Sequence, residues 1–77
     1  MFCILIEKKM ENETEAQYQF YDTAYKEHKG ILSINKKTGE YSIVNPIKYE
    51  SISSRACIKI YRHWLKGEFP EKTMWAS

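Results

Sequence analysis

The sequence predicts a small α+β domain, a two-layer sandwich with the element order β-α-β-β-α. Two stretches have helical periodicity, and between them two short apolar runs are joined by a turn that contains glycine. A further apolar run at the start of the chain supplies the remaining strand. We therefore expect a three-stranded sheet with two amphipathic helices on one face. Residues 1–77 would form a single domain, as is usual for a chain of 77 residues.

The first two elements are predicted from the acidic part of the chain. Phe2–Ile6 is a continuous run of apolar residues that suits a buried strand. A helix is expected from Asn12 to about His28, because Asn12 and Glu15 have the spacing of a capping box. His28 would then lie at the negative end of the helix dipole. The inner face of this helix would consist of Phe20, Tyr21, Ala24, Tyr25 and His28.

A β-hairpin is predicted from Gly30 to Pro46. Its strands, ILSI and YSIV, flank the turn NKKTG. Gly39 would supply the positive φ angle that a type I turn followed by a bulge requires. Pro46 ends the second strand because it has no N–H to donate to a neighbouring strand.

The clearest amphipathic helix is predicted from Ser51 to Gly67. Serines at its start offer N-caps, and Gly67 followed by Pro70 supplies the stop. A rotation of about 100° per residue separates two opposite faces. The apolar face consists of Cys57, Ile60, Tyr61, Trp64 and Leu65. The opposite face is a narrow basic stripe formed by Arg55, Lys59, Arg62 and Lys66.

Residues 67–77 show no periodicity and are predicted to form an ordered C-terminal tail. Phe69, Met74 and Trp75 are the apolar side chains that could hold this tail in place, on the same domain, on a second copy or on a partner. Trp75 is the ring that we most expect to contact another molecule.

The net charge of +2 conceals an asymmetry along the chain. Residues 1–28 contain three lysines and six acidic residues, whereas residues 29–66 contain eight basic residues and two acidic ones. An anionic partner would therefore meet the basic middle of the chain. The basic stripe spans about 16 Å, enough to follow several phosphates. Lys36 and Lys37, at the predicted hairpin tip, could extend it.

The cysteines indicate a reducing compartment. Cys3 and Cys57 lie among apolar residues and form no CxxC pair, so we expect two buried, reduced thiols. A disulfide between them is the alternative in an oxidising compartment. The start of the chain has no basic residue before its short apolar run, and no run approaches the ~20 residues of a membrane span. The sequence therefore predicts a cytoplasmic protein.

Catalysis and metal binding find little support in the sequence. His28 and His63 could join the two cysteines in a zinc site, but their spacing matches no zinc motif. His63 would more simply extend the basic stripe. A small ribonuclease that uses a histidine as acid and base is the enzymatic alternative. We expect no enzymatic activity, no metal and no cofactor.

Two binding functions remain. The first is a non-catalytic module that contacts nucleic acid or a nucleoprotein through the basic stripe and the hairpin tip with Lys36 and Lys37. The alternative is a protein-binding inhibitor, antitoxin or adaptor of the phage or mobile-element type, which would use aromatic residues, the ordered tail with Trp75 and an open strand edge. The same open edge would also allow a homodimer.

Overall fold

The computed structural model describes residues 3–76 of the chain. The elements are β1 (Cys3–Glu11), β2 (Glu15–Asp22), β3 (Gly30–Asn35), β4 (Tyr41–Asn45), α1 (Glu50–Leu65) and β5 (Lys72–Ala76). The strands form one antiparallel sheet in the order β4-β3-β2-β1-β5. α1 packs on one face of this sheet and contacts all five strands. Within residues 3–76, no helix combines the length and the apolar character needed to cross a membrane.

The predicted three-stranded sheet with two helices is wrong, because the predicted first helix is the central strand β2. Its side chains alternate strictly between the buried face and the other face, and Tyr18 and Phe20 are fully buried. The segment EAQYQFYD carries aromatic residues at spacings that fit either a helix or a strand. This segment forms a strand because it pairs with β1 on one side and with β3 on the other.

The capping chemistry predicted at Asn12 is present, but it closes a β-hairpin. The Asn12 Oδ1 atom accepts hydrogen bonds of 2.9 Å from the main-chain N–H groups of both Thr14 and Glu15. The Asn12 N–H donates to the main-chain oxygen of Glu15. These bonds hold the turn between β1 and β2, so the same side-chain geometry that caps a helix here reverses the chain.

His28 lies in the loop between β2 and β3, not at the end of a helix as predicted. Its main-chain N–H donates to the oxygen of Tyr25, and its ring meets Tyr49 edge-on at 6.0 Å between centroids. Asp22 shapes the start of the same loop, because its Oδ1 atom accepts a 2.8 Å hydrogen bond from the N–H of Ala24.

The predicted hairpin from Gly30 to Pro46 is confirmed by β3 and β4. Gly39 has a φ of +79°, as the turn requires. The Asn35 Oδ1 atom accepts hydrogen bonds from the N–H groups of Lys37 and Thr38, which fixes the turn from within.

The predicted helix from Ser51 to Gly67 is confirmed as α1, although its start is capped differently. Tyr49 occupies the N-cap position and makes no side-chain capping bond, so the predicted serine cap is wrong. At the other end Gly67 has a φ of +72°. Its N–H donates to the oxygen of Trp64, and the N–H of Glu68 donates to the oxygen of His63. This pair of bonds is the Schellman motif that ends a helix at glycine.

β1 is longer than predicted, and the apolar residues of its first half alternate between both faces of the sheet. Ile4 and Ile6 are fully buried against α1, whereas Leu5 is half-buried on the bare face. Phe2, the first residue of the predicted strand, lies outside the described residues.

The predicted tail contains β5, which pairs with β1 and brings Met74 opposite Leu5. Its aromatic residue Trp75 is half-buried and packs against the hydrophobic core of its own domain. The tail is therefore part of the sheet.

The hydrophobic core lies between the sheet and α1. Cys57 is buried there, and this burial raises the pKa of its thiol to about 11. Cys3 projects from the opposite face of the sheet, where its Sγ lies 3.5 Å from the Sδ of Met74. Both thiols are free, and the sheet between them rules out the alternative of a disulfide. The core residues are Ile4, Ile6, Ala16, Tyr18, Phe20, Leu32, Ile34, Ile52, Ala56, Cys57 and Ile60.

Candidate nucleic-acid interface

The basic stripe lies along the flank of α1 beside β5, where Lys59 and Arg62 line a cleft with Trp75. Arg62 and Lys66 are exposed, and Arg55 and Lys59 are half-buried along the helix surface. The Arg55 guanidinium donates a 3.1 Å hydrogen bond to the main-chain oxygen of Ser51, one turn earlier. The four positions lie side by side because residues three or four apart share one face of a helix.

β5 brings Trp75 next to this stripe. The guanidinium carbon of Arg62 lies 5.4 Å from the centre of the Trp75 ring, a cation–π distance. A shallow cleft of about 330 Å³ opens beside this pair, lined by Lys59, Arg62, Met74, Trp75 and Ala76. Lys59, Arg62 and Trp75 thus share one site, although sequence reasoning placed the cations and the indole in rival binding modes.

Three cations of the stripe differ in their surroundings from three lysines elsewhere in the fold, Lys8, Lys36 and Lys72. Lys8 and Lys36 both bind the carboxylate of Glu11, and Lys72 lies 3.9 Å from Glu7. Within residues 3–76, by contrast, no carboxylate approaches Lys59, Arg62 or Lys66 to within 4.0 Å. This flank of α1 therefore presents three cations that no carboxylate of residues 3–76 pairs with.

Lys36 and Lys37 occupy different environments in the β3–β4 turn. The Lys36 ammonium group lies 2.6 Å from a carboxylate oxygen of Glu11, 3.0 Å from the main-chain oxygen of Asn12, and 4.9 Å from the centre of the Phe69 ring. These contacts join the two hairpins and give Lys36 a structural role. Lys37 is exposed at the tip of the turn.

His63 connects three parts of the fold and does not extend the stripe as predicted. Its Nδ1 atom lies 3.1 Å from a carboxylate oxygen of Glu68, and its Nε2 atom lies 3.2 Å from the hydroxyl of Thr73. The imidazole therefore holds β5 against α1. In the part of the chain that the structure describes, no three His, Cys, Asp or Glu side chains converge as a metal site would require.

A second surface, not found from the sequence, lies at the β4 edge of the sheet. Seven large hydrophobic side chains are exposed among the described residues, and five of them lie on β4 or on the flank of α1 beside it. We call these five the apolar flank: Tyr41, Ile43, Val44, Ile58 and Leu65. Leu65 was predicted to face the core, but it is 62% exposed.

A groove of about 490 Å³ runs between β4 and α1 along the apolar flank. The side chains of Tyr41, Ile43 and Ile58 line it, and Cys57 forms part of its floor. The only sequence signal for this surface is the absence of charge in the strand YSIVN, because which strand lies at an edge depends on the pairing of the whole sheet.

Comparison with known proteins returned no matching family model, no matching curated protein and no matching solved structure.

Proposed function

We propose that this protein is a non-catalytic binding module that contacts nucleic acid, alone or within a nucleoprotein, through the basic stripe of α1. The observation that carries the proposal is the cluster of Lys59, Arg62 and Lys66, which no carboxylate of the described chain approaches. The free thiols of Cys3 and Cys57 are compatible with a location in the cytoplasm, which is part of the proposal.

The shape of the stripe suits a polyanion. Its cations follow one line along a rigid helix, so they can meet successive phosphates without a loop having to become ordered. The Arg62 guanidinium is already positioned by the Trp75 ring, which reduces the entropy lost when it binds a phosphate. Contacts of this kind recognise the backbone of a nucleic acid and give an affinity that tolerates many sequences.

The affinity should fall steeply as salt is added. If each cation of the stripe neutralises one phosphate of a duplex, the logarithm of the binding constant should fall with the logarithm of the salt concentration with a slope of about −3 to −4. Fluorescence anisotropy with labelled single-stranded and double-stranded oligonucleotides measures both the affinity and this slope.

A matched pair of variants tests the location of the site. Lys59→Glu with Arg62→Glu reverses two charges of the stripe and should weaken binding on the order of a hundredfold. Lys9→Glu with Lys26→Glu changes the net charge by the same amount at two exposed positions away from α1, and should change the affinity only a few-fold. Equal losses in both variants would show that binding depends on net charge alone. The absence of salt-sensitive binding by the unmodified protein would refute the proposal.

Protein binding is the second candidate, and the apolar flank is the observation that favours it. An inhibitor, antitoxin or adaptor would use this exposed surface more readily than Trp75, which is half-buried in its own domain. A pull-down from lysate, performed with and without nuclease at low and high salt, separates the two candidates. Nucleic acid released by salt supports the first, whereas one protein retained through nuclease and salt supports the second.

A further inference from the structure

β4 is a short edge strand without a charged residue, and its pairing with β3 shifts register around Val44. Strand edges are normally blocked by lysine, proline or inward-pointing charge, because their free N–H and C=O groups can bind another strand. All five residues of β4 are exposed and none is charged. The opposite edge strand, β5, begins with Lys72 and is therefore better protected.

One groove beside β4 contains three exposed apolar side chains, those of Tyr41, Ile43 and Ile58, together with Cys57 and the polar residues Ser42, Glu50, Ser53 and Ser54. Tyr41 and Ile43 project from β4 towards α1, and Ile58 lies across the groove on the helix. Leu65 follows Ile58 by two helical turns on the same flank. Small soluble proteins rarely leave such a surface uncovered.

We propose that a second copy of this chain covers the apolar flank, with the two β4 strands pairing antiparallel about a two-fold axis. The two five-stranded sheets then join into one, and the two α1 helices lie side by side on the same face. The proposal does not depend on nucleic-acid binding, because it uses a different side of α1.

The charges at the ends of β4 favour a second copy over an unrelated strand. Glu40 immediately precedes β4, and Lys48 follows it by three residues. Both are exposed, and neither forms an ion pair within residues 3–76. Antiparallel pairing places the Glu40 end of each strand beside the Lys48 end of the other, so two favourable charge contacts arise by symmetry.

The direction of α1 adds to this complementarity. α1 begins shortly after the end of β4. Trp64, in the last turn of α1, lies against Gly39, just before the start of β4. The helix therefore runs antiparallel to β4. The two-fold axis therefore brings the positive end of one helix dipole beside the negative end of the other. β4 itself brings no charge to the centre of the paired strands.

The association state and a matched pair of lysine substitutions provide the first test. Sedimentation equilibrium of the full chain should show a concentration-dependent dimer. Ile58→Lys, at a position 38% exposed on the apolar flank, should weaken the dimer on the order of a hundredfold. Met74→Lys, at a position 48% exposed on β5, adds the same charge elsewhere and should leave the dimer unchanged. Circular dichroism of both variants verifies that they fold.

A charge exchange tests whether Glu40 of each copy lies beside Lys48 of the other, as antiparallel pairing requires. Glu40→Lys should set lysine against the partner's Lys48, and Lys48→Glu should set glutamate against the partner's Glu40. Each variant alone should dimerise on the order of tenfold more weakly. An equimolar mixture of the two should recover the original affinity as a heterodimer, because both contacts are then attractive.

Three results would overturn the proposal. The first is a monomer at every concentration at which the protein stays soluble. The second is a dimer that Met74→Lys disrupts and Ile58→Lys does not, since the copies would then meet at the other edge. The third is a mixture of the two charge variants that associates no better than either alone.

Discussion

The indole Nε1 of Trp64 donates a 2.8 Å hydrogen bond to the main-chain oxygen of Lys36 and so joins the last turns of α1 to the β3–β4 turn. The same indole covers Gly39: a Cβ atom added there would lie 2.6 Å from the ring. The side chain of Lys36 continues the connection to Glu11 at the end of β1. One turn residue thus links the helix to both hairpins.

Gly39→Ala should destabilise the protein by about 2–4 kcal/mol. Its φ of +79° strains any residue with a Cβ, and the new methyl group would also collide with Trp64. Urea denaturation measures the loss. Gly67→Ala is the matched control, because Gly67 has a φ of +72° but no atom within 4 Å of the added Cβ. It should cost only about 1 kcal/mol. Equal losses in the two variants would mean that the indole does not constrain the turn.

Tyr18→Phe should leave the stability unchanged or raise it by up to about 2 kcal/mol. The Tyr18 ring is fully buried, and its hydroxyl finds no hydrogen-bond partner among the described residues. Burial, and to a lesser extent the nearby carboxylates of Glu11 and Glu71, raises the pKa of this hydroxyl. Removing an unsatisfied buried hydroxyl removes its desolvation cost while the ring contacts stay. Tyr41→Phe, at an exposed hydroxyl, should change the free energy of unfolding by less than about 0.5 kcal/mol. A clear loss of stability in Tyr18→Phe alone would contradict this account.

Glu11 should make the stability depend on pH in the acid range. Hydrogen bonds from Lys36 and then Lys8 lower the pKa of the Glu11 carboxyl from 4.5 to about 2. Because the folded-state pKa lies below the unfolded one, the stabilisation is complete above pH 4.5 and is lost as the pH falls from there through about 2. Glu11→Gln should therefore flatten the plot of unfolding free energy against pH in that interval.

A control variant and a change of salt concentration test whether the pH dependence comes from Glu11. Glu13→Gln removes an exposed carboxylate from the same turn that forms no ion pair within residues 3–76, and it serves as the matched control. Added salt should reduce the contribution of Glu11, because this exposed carboxylate and its lysines are screened. If the unfolding free energy of Glu11→Gln varies with pH as that of the unmodified protein does, then Lys8 and Lys36 do not stabilise the Glu11 carboxylate.

The elements that the sequence predicted correctly are those with strong local signals. Gly39 indicates the position of the β3–β4 turn, because the turn needs a positive φ there. The spacing of apolar residues in α1 indicates the helix, and Gly67 marks its end. β2 was missed because its aromatic spacing fits two periods, and the pairing that decides between them involves residues far away in the chain. β5 was missed because it has no pattern of its own and becomes a strand only against β1.

The candidate site also combines features that local sequence signals predict with features that depend on distant strand pairing. The alignment of Lys59 and Arg62 could be read from helical spacing. The position of Trp75 beside Arg62 could not, because it depends on β5. The exposed edge at β4 was also hidden, since no local pattern states which strand ends a sheet.

The pairing of β5 with β1 has a consequence for how the chain acquires its structure during synthesis. Residues 3–7 are translated well before their partners at residues 72–76, which leave the ribosome last among the described residues. Until then one side of β1 has no strand beside it, and the indole of Trp75 is missing from the core. The β1–β4 meander and α1 can assemble beforehand because their contacts are closer in sequence, so the final step should be the docking of one short strand. A ribosome stalled before residue 72 emerges would hold an open, aggregation-prone intermediate of this protein.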